Sequence, residues 1–431
     1  MARSPRQPAI VTLCVAIAVV VLCLVAGETP LSRVDAQPAP PQTTAVEPRV
    51  PVDPVREWSE LRLAEMSPEE KVRSLLMTRV PGLDSDQWRI TVASVASGGV
   101  GAGGFILMRD NVPPTPEELA ALTAAAVADP ELPPIVGIDE EGGDVVRLPY
   151  DDLPGADYLR GVGSNETVDA FAARAAMLAS VGVNLNFGIV ADYTADPNSF
   201  IHSRTLGDDP ASASDHVAAA VGAETPVVAS TLKHFPGHGR TNADSHNGIP
   251  VTDVSFDEWR ATDALPFEAG INAGAPAVMF GHLVFSSIDA APATLSATWH
   301  DIVRSELGFD GLSVTDDLLM LQSSGLPELS DPYINAVAAL AAGNDVLLYL
   351  LPSDPSTVGI DVPTLVSTLV ANVSAERIDE SALRVLMFRR ALAPDARAWV
   401  PPCDLACAAH EVGGFIPFDP LILLSETTAK K

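Results

Sequence analysis

The 431-residue sequence predicts an α/β protein with a single (β/α)8 TIM-type barrel, an N-terminal export segment and a short C-terminal extension. Three observations predict this fold. Short apolar runs alternate with amphipathic, alanine-rich segments, eight such runs fit into one folded region, and polar residues stand where several runs end. Alternating strands and helices along a chain are typical of parallel sheets.

The N-terminal residues predict export followed by a tether. An apolar run from Ala9 to Ala26 follows two arginines, so we expect residues 1–26 to be a signal peptide or a membrane anchor. Residues 27–54 are rich in Pro, Gln, Thr and Ala without apolar periodicity, which is typical of a disordered linker. The protein is therefore expected to be secreted or held on the outer face of the bacterial cytoplasmic membrane. Cleavage, lipidation at Cys23 and retention of the segment all stay open.

The charge balance excludes some classes of partner. Acidic residues number 56 against 26 basic ones, a formal net charge of -30 at pH 7. Such a chain repels phosphate backbones and anionic lipid surfaces, so we expect no nucleic-acid partner and membrane contact only through the N-terminal segment. A solvated acidic surface suits an exported protein, and we expect a monomer.

The folded region is predicted over residues 55–393. It opens with a capping box, since Ser67 precedes Pro68 and Glu70, and "TPEE" from Thr115 to Glu118 repeats the pattern. Amphipathic helices, for instance Val168–Ser180 and Asp331–Ala342, separate most of the apolar runs. The eight predicted strands are Leu75–Val80, Gly103–Met108, Pro134–Asp139, Asn184–Val190, Pro226–Phe235, Ala277–Leu283, Gly311–Asp317 and Asp345–Leu350.

The placement of polar residues favours a closed barrel over an open doubly wound sheet. Asp139, Lys233 with His234, His282 and Asp316 each lie at or just past the end of a strand run. A barrel builds its site from many strand ends on one face. An open dinucleotide-binding sheet would carry a glycine-rich phosphate loop after its first strands, and the sequence has none there.

Four cysteines fall into two groups. Cys14 and Cys23 lie in the N-terminal apolar segment, whereas Cys403 and Cys407 lie in the C-terminal extension, residues 394–431. No zinc-finger spacing is present. Outside the cytoplasm the C-terminal pair can close a small disulfide loop, with two free thiols as the alternative.

The segment "GIDEEGGDVVRLP" from Gly137 to Pro149 is a candidate part of a site. Asp139 ends a buried strand there and Arg147 follows in the loop. Buried charge needs a partner or a ligand, so these two residues either pair with each other or bind a substrate. Arg204, in "SRTLGDDP", is a weaker candidate on its own.

The segment "SVTDDLLM" ends another strand with two adjacent carboxylates, Asp316 and Asp317. Neighbouring residues in a strand point to opposite sides, so only one of them can face the barrel mouth. The facing carboxylate could be a nucleophile, a metal ligand or a base. The other is expected to be a helix cap or a surface charge.

The segment "KHFPGHGRTNADSH" from Lys233 to His246 contains three histidines. His234 and His238 are four residues apart, and with Asp244 and His246 they could be metal ligands. That spacing aligns ligands only on a helix, and the Pro-Gly turn breaks any helix, so a zinc site is disfavoured. Asp244 can instead orient His246 as an acid/base group, while ordinary hydrogen-bonded loop histidines remain an alternative.

A series of motifs runs in a fixed order from about Met66 to Arg390. The most specific is "KHFPGHG" followed by "ADSH", with "DEEGG...R" upstream and "VTDDLLM" downstream. Further segments are "EEKVRSLLM", "GGFILM", "NLNFGIVAD", "SRTLGDDP", "PFEAGINAGAPAVMFGH" and "ERIDESALRVLMFRR". In these motifs the chain resembles the β-N-acetylglucosaminidase branch of glycoside hydrolase family 3.

The resemblance implies a (β/α)8-type barrel and a retaining, two-step exo-hydrolysis at terminal β-linked N-acetylglucosamine. Carried over by motif, Asp316 would be the nucleophile, His246 the acid/base and Asp244 its partner. The sugar hydroxyls would be bound by residues from three motifs, namely Asp139, Arg147, Arg204, Lys233 and His234. No cofactor and no metal are expected.

The sequence is compatible with several functions. A carbohydrate substrate from the cell wall, such as a muropeptide, is expected because the chain is exported, which suggests a role in peptidoglycan turnover. A histidine in place of a second carboxylate does not repel an anionic acceptor, so transfer to phosphate is an alternative to hydrolysis. Another family 3 β-glycosidase, a non-catalytic sugar-binding protein and a zinc hydrolase are further alternatives. The sequence does not specify the natural aglycone.

Overall fold

The computed structural model describes residues 53–241, 248–350 and 360–400. The proposed export segment and nearly all of the linker therefore lie outside the described residues, as do Asp244, His246, Cys403 and Cys407. No helix within the three described ranges is long and apolar enough to cross a bilayer.

Eight parallel strands form the barrel, which confirms the predicted fold. Their order around the sheet is β10-β1-β2-β3-β4-β5-β7-β9, and a parallel bridge between Val314 and Val346 joins the last strand to the first. All eight predicted runs contain a barrel strand. The strands are β1 Leu76–Arg79, β2 Gly104–Leu107, β3 Ile135–Ile138, β4 Leu185–Val190, β5 Ala229–Phe235, β7 Ala277–Phe280, β9 Leu312–Thr315 and β10 Leu347–Tyr349; β6 Val251–Thr252 and β8 Val284–Phe285 form a separate pair.

The helices of the described residues lie between the strands and at the two ends of the folded region. Ser67 forms the predicted capping box, and Asp331 caps a helix by accepting backbone N–H groups. The helices are α1 Pro54–Glu65, α2 Pro68–Ser74, α3 Ser85–Val92, α4 Pro116–Ala126, α5 Ala156–Leu159, α6 Ser164–Ser180, α7 Pro210–Glu224, α8 Phe256–Ala261, α9 Ala264–Asn272, α10 Ala297–Ser305, α11 Leu319–Ser323, α12 Pro332–Ala342, α13 Val362–Asn372 and α14 Ala375–Ala391.

Side chains fill the barrel interior at the level of Gly137. A Cβ atom added to Gly137 would come within 2.2 Å of Met77 Cε and 2.9 Å of Phe187 Cε2, so glycine on β3 leaves room for these two side chains. Both are fully buried, and burial of a side chain of this size contributes about 1.5–3 kcal/mol. The interior is therefore a packed core that supports the strand ends from below.

An aromatic cluster fixes the end of β5. The ring of Phe235 lies 5.3–6.0 Å, centroid to centroid, from those of Phe267, Trp299 and Trp259, and the rings meet nearly edge to face. The indole N–H of Trp259 also donates to the carbonyl oxygen of Pro236 at 2.8 Å. The Pro-Gly turn that follows β5 therefore begins from a rigid point.

Candidate active site

Six of the eight predicted site residues lie in the described part of the chain, and all six stand at the carboxyl end of the barrel. They come from the end of β5, from the segments that follow β3 and β9, and from a 3-10 turn after β4. These residues are Asp139, Arg147, Arg204, Lys233, His234 and Asp316. The remaining two, Asp244 and His246, belong to the residues that are not described.

Four charged side chains form an ion network between the ends of β3 and β5. Lys233 Nζ lies 2.8 Å from Asp139 Oδ1 and 2.7 Å from Glu141 Oε1. The guanidinium of Arg204 donates to both oxygens of Glu141, at 2.9 and 2.7 Å. Burial opposes ionisation of Glu141, but the charges of Lys233 and Arg204 lower its pKa to about 2. Glu141, Lys233 and Arg204 are therefore charged at neutral pH.

Arg147 approaches this network from the loop after β3. Its Nη2 atom lies 3.6 Å from Asp139 Oδ2, farther than Lys233 lies from the same carboxylate. Glu140 accepts the backbone N–H groups of Arg147 and Leu148 at 2.8 and 3.1 Å, which folds the loop back over the strand end. Asp139 and Arg147 thus do pair, but only as part of a larger group, and the guanidinium keeps most of its donors.

His234 is held in one orientation by Asp192, which follows β4. Its Nδ1 lies 2.7 Å from Asp192 Oδ2, and the carboxylate also accepts the backbone N–H of His238 at 2.6 Å. Because Asp192 accepts a hydrogen at Nδ1, the Nε2 atom of His234 is turned toward Arg204 Nη2, at 3.5 Å. This arrangement explains why a histidine stands next to the last residue of β5.

His238 is buried next to His234 but is bonded differently. Neither of its ring nitrogens has a hydrogen-bond partner among the described residues, and burial lowers its pKa to about 4. Its ring instead meets Phe200, with centroids 4.7 Å apart, and His234, at 5.9 Å. Within the described ranges no three His, Cys, Asp or Glu side chains are grouped as metal ligands.

The Asp316 carboxylate faces the ion network from the end of β9. Burial opposes its ionisation, but the charges of His282, His234 and Lys233 hold its pKa below the usual range. Oδ1 accepts the backbone N–H of Asp317 at 2.7 Å, and this carboxylate makes no second hydrogen bond among the described residues. An ionised carboxylate with most of its lone pairs free can attack an electrophile.

His282, which follows β7, is a hydrogen donor at both ring nitrogens. Nε2 lies 2.9 Å from the carbonyl oxygen of Asp317, which can only accept. Nδ1 lies 2.9 Å from Thr294 Oγ1, whose own hydrogen is directed at the carbonyl oxygens of Phe280 and Gly281, 2.9 and 2.8 Å away. With a hydrogen on both nitrogens the ring is an imidazolium, and a positive charge there favours the ionised form of Asp316.

Of the two adjacent carboxylates, Asp317 is the one with a structural role. Its Oδ1 atom accepts the backbone N–H groups of Leu319, the first residue of α11, and of Leu350, at 3.1 and 3.0 Å. Asp317 therefore binds the start of α11, although the N-cap residue of that helix is Leu318 and not the aspartate. The alternative, a surface charge, is wrong, because Asp317 is 8% exposed.

The described chain is firmly held just before the segment that contains Asp244 and His246. Arg240 Nε donates to both oxygens of Asp263 at 3.0 and 2.9 Å, and Nη1 donates to Glu258 at 2.9 Å. These contacts tie the turn after β5 to α8 and to the start of α9.

Sequence reasoning missed two residues of the site and considered a third only as a metal ligand. Glu141 and Asp192 are the carboxylates that hold Lys233, Arg204 and His234, whereas His238, the metal-ligand candidate, packs against the ring of His234. The available signal was position: Glu141 lies three residues past the end of β3, and Asp192 lies two residues past the end of β4.

Comparisons with known proteins agree with this fold. The profile of the glycosyl hydrolase family 3 N terminal domain matches residues 68–388. A β-hexosaminidase of Stenotrophomonas maltophilia strain K279a is 34% identical over 309 residues, 68% of this chain and 86% of that relative.

Two solved structures share the barrel. A family 3 β-N-acetylglucosaminidase from Paenibacillus sp. str. FPU-7 superposes with a TM-score of 0.68 and 29% identity, over 83% of this chain and 67% of that one. A β-N-acetylhexosaminidase from Beutenbergia cavernae DSM 12333 gives 0.64 and 29%, over 76% and 99%. The fold is thus that of a glycoside hydrolase. The chain belongs to glycosyl hydrolase family 3.

Proposed function

We propose that this protein is an exo-acting, retaining β-N-acetylglucosaminidase that removes terminal β-linked N-acetylglucosamine from glycosides. One observation carries the proposal. Asp316 is a half-buried, ionised carboxylate that makes one hydrogen bond among the described residues, and it faces His282 and a set of hydrogen-bond donors at the barrel mouth. The names of the relatives, β-hexosaminidase and β-N-acetylglucosaminidase, support the choice of sugar.

In the first step Asp316 attacks the anomeric carbon, and the bond to the aglycone oxygen breaks. His246, as its imidazolium, gives its proton to that oxygen, so the aglycone leaves as a neutral alcohol and the sugar stays bound through an ester to Asp316. In the second step neutral His246 takes a proton from water as the water attacks the same carbon. The ester bond breaks, and both Asp316 and His246 return to their starting states. Asp244 orients the imidazole in both steps.

The ion network would bind the sugar. Asp139 accepts hydrogen from hydroxyl groups, while Arg147, Arg204 and Lys233 donate to hydroxyl oxygens, and His234 borders the same surface. Because each of these groups is already held by a neighbour, little conformational freedom is lost on binding. Fixed, directional hydrogen bonds then place the anomeric carbon against Asp316.

The proposed setting is the cell wall. The apolar segment at residues 9–26 favours export, so the protein would be secreted or held on the outer face of the cytoplasmic membrane, where muropeptides are available. Peptidoglycan turnover is the role that joins such a location to this sugar. We propose that the protein acts there as a monomer.

A product assay on the full-length protein tests the proposal. We expect release of p-nitrophenol from the β-N-acetylglucosaminide but not from the β-glucoside, with free sugar as the product in the presence and absence of phosphate. Asp316→Asn should abolish release. Sugar phosphate as the product would indicate a phosphorylase, and saturable binding of N-acetylglucosamine without turnover would indicate a sugar-binding protein.

A further inference from the structure

A cavity lies at the opposite end of the barrel from Asp316. It encloses about 460 Å³ where β1, β2 and β3 begin, and α14, the loop 93–101 and the segment 128–134 contribute to its walls. Four arginines line it, Arg62, Arg73, Arg89 and Arg389. Such a concentration of cations is unexpected in a chain with 56 acidic and only 26 basic residues.

Arg389 is the most deeply placed of the four, with 6% of its surface exposed. Its Nε and Nη2 atoms donate to the carbonyl oxygens of Pro133 and Leu132, at 2.9 and 2.8 Å. Among the described residues no carboxylate lies within ion-pair distance of it, and burial lowers the pKa of its guanidinium to about 10. Carbonyl oxygens accept its hydrogens but do not neutralise its charge.

Buried arginines elsewhere in the structure do have a carboxylate partner. Arg390, the next residue along α14, lies 3.1 Å from Asp395 although its side chain is fully buried. A further buried pair is Arg174 with Asp151, and the half-buried Arg204 and Arg304 pair with Glu141 and Asp345. Arg389, with no carboxylate in contact among the described residues, is therefore an exception that a bound anion would remove.

No other charge of the cavity forms an ion pair with Arg389 among the described residues; the Asp129 carboxylate acts on it only through space, and burial still lowers its pKa overall. Arg73 donates to the carbonyl oxygen of Val100 at 3.1 Å and, like Arg389, makes no ion pair among the described residues. The two acidic side chains of the lining are engaged with backbone, because Glu70 accepts the N–H of Ser67 and Asp129 accepts the N–H of Glu131, both at 2.9 Å.

Guanidinium groups, and not backbone amides, are the free donors here. The N–H groups of residues 98–101 are used within the loop, for example Gly99 to Ser94 and Gly101 to Ala93, at 2.9 and 2.8 Å. We propose that this cavity binds a small oxyanion, a phosphate or a carboxylate, between Arg73 and Arg389. Planar guanidinium forks match the oxygens of both groups. The site is independent of the glycosidase activity.

Thermal unfolding of the full-length protein tests the site. Inorganic phosphate and citrate are titrated separately at constant ionic strength, with chloride as the reference. We expect a saturable rise in Tm of about 2 °C with at least one of the two anions. Arg73→Gln should weaken the half-saturation point at least about tenfold, and Arg389→Gln should abolish the rise. The anion with the lower half-saturation concentration identifies the preferred class.

Two controls separate this site from others. Arg56→Gln, an exposed arginine paired with Glu60, should leave the titration unchanged. Asp316→Asn should also leave it unchanged, which excludes binding at the barrel mouth. If Arg389→Gln does not fold, Arg73→Gln and Arg89→Gln carry the test. Equal responses in the protein and in its cavity variants, or no saturable response to either anion, would overturn the proposal.

Discussion

Two aspartates at opposite ends of the barrel show what separates a structural carboxylate from a reactive one. Asp345 is fully buried and precedes β10, and it accepts hydrogen bonds from Arg304, Arg377, Arg384, the backbone N–H of Ser313 and the hydroxyl of Ser381. Asp316 is half-buried and follows β9, and among the described residues it accepts one hydrogen bond, from the N–H of Asp317.

Both carboxylates are ionised for the same general reason. Burial opposes their ionisation, yet nearby positive charge holds the pKa of each below the usual range. The difference lies in contact. The cations around Asp345 touch it and occupy its lone pairs, whereas His282 acts on Asp316 while it donates its hydrogens to Asp317 and Thr294. Charge without contact leaves a carboxylate able to react.

The largest expected effect is on turnover. Asp316→Asn should lower kcat by at least about 10⁴-fold because the amide cannot form the glycosyl ester. Its Tm should stay close to that of the unchanged protein, since the carboxylate makes one hydrogen bond among the described residues. Rates are measured with a chromogenic N-acetylglucosaminide. A mass increase of the protein trapped as its glycosyl ester shows that the sugar is covalently attached. A kcat within tenfold of the original would rule out this nucleophile.

The corresponding substitution of Asp345, at the opposite end of the barrel, should lower the stability of the protein. Asp345→Asn leaves three arginines without their shared counter-charge, so we expect the free energy of unfolding to fall by about 3–5 kcal/mol. Urea unfolding measures this loss, and kcat per folded molecule should change less than about twofold. The pKa of Asp345 is lowered on folding, so its contribution is present above pH 4 and is lost as the pH falls through the folded pKa. In the variant, the free energy of unfolding should therefore change less with pH in the acidic range.

A smaller effect is expected when the distant charge is removed. His282→Gln should shift the acidic limb of kcat/KM upward by about 1–2 pH units, because Asp316 loses the cation that favours its ionised form. Nitrogen NMR should show both ring nitrogens of His282 protonated across neutral pH, with the signal assigned by its loss in the variant.

His300→Gln is the control for this shift. His300 is another buried histidine, but burial lowers its pKa to about 4, and its ring stacks on Phe280 at 3.8 Å. The acidic limb should not move in that variant. A His282 ring with one bare nitrogen would contradict our account of how Asp316 stays ionised.

The smallest effect concerns a carboxyl group that no cation contacts. Glu224 is fully buried and accepts from Asn186 at 2.7 Å, and burial raises its pKa to about 8. The folded protein therefore keeps a proton that the unfolded chain releases, so stability should fall as the pH rises from about 5 to 8. Glu224→Gln should reduce this slope in urea unfolding at several pH values. Some slope should remain, because burial also raises the pKa of Glu140 to about 8. An unchanged slope would show that Glu224 is ionised.

The sequence predicted the barrel well because buried parallel strands give continuous apolar runs. The boundaries were less accurate. The run from Pro226 to Phe235 was expected to be one strand, but β5 begins at Ala229, since Val227 and Val228 still donate to the carbonyl oxygen of Glu224 at the end of α7. The pair β6 and β8 was missed because two-residue strands have no periodicity to detect.

The site could be predicted only where one residue acts through its own chemistry. Asp316 was found from its motif, but the division of labour between Glu140 and Glu141 was not visible. Glu140 folds the loop by accepting N–H groups, whereas Glu141 holds Lys233 and Arg204. Two adjacent glutamates look alike in sequence, and the course of the backbone decides which one meets the cations.

The closure of the barrel ties the two ends of the folded chain together. β1 lies between β2 and β10, so Leu76 pairs with Leu347, and α14 packs against α1 and α2. Contacts between such distant residues form late, because a long loop must close before they are made. During synthesis β1 cannot pair with β10 until nearly the whole folded region has been made. For a protein proposed to be exported, this delay keeps the chain unfolded for longer before export.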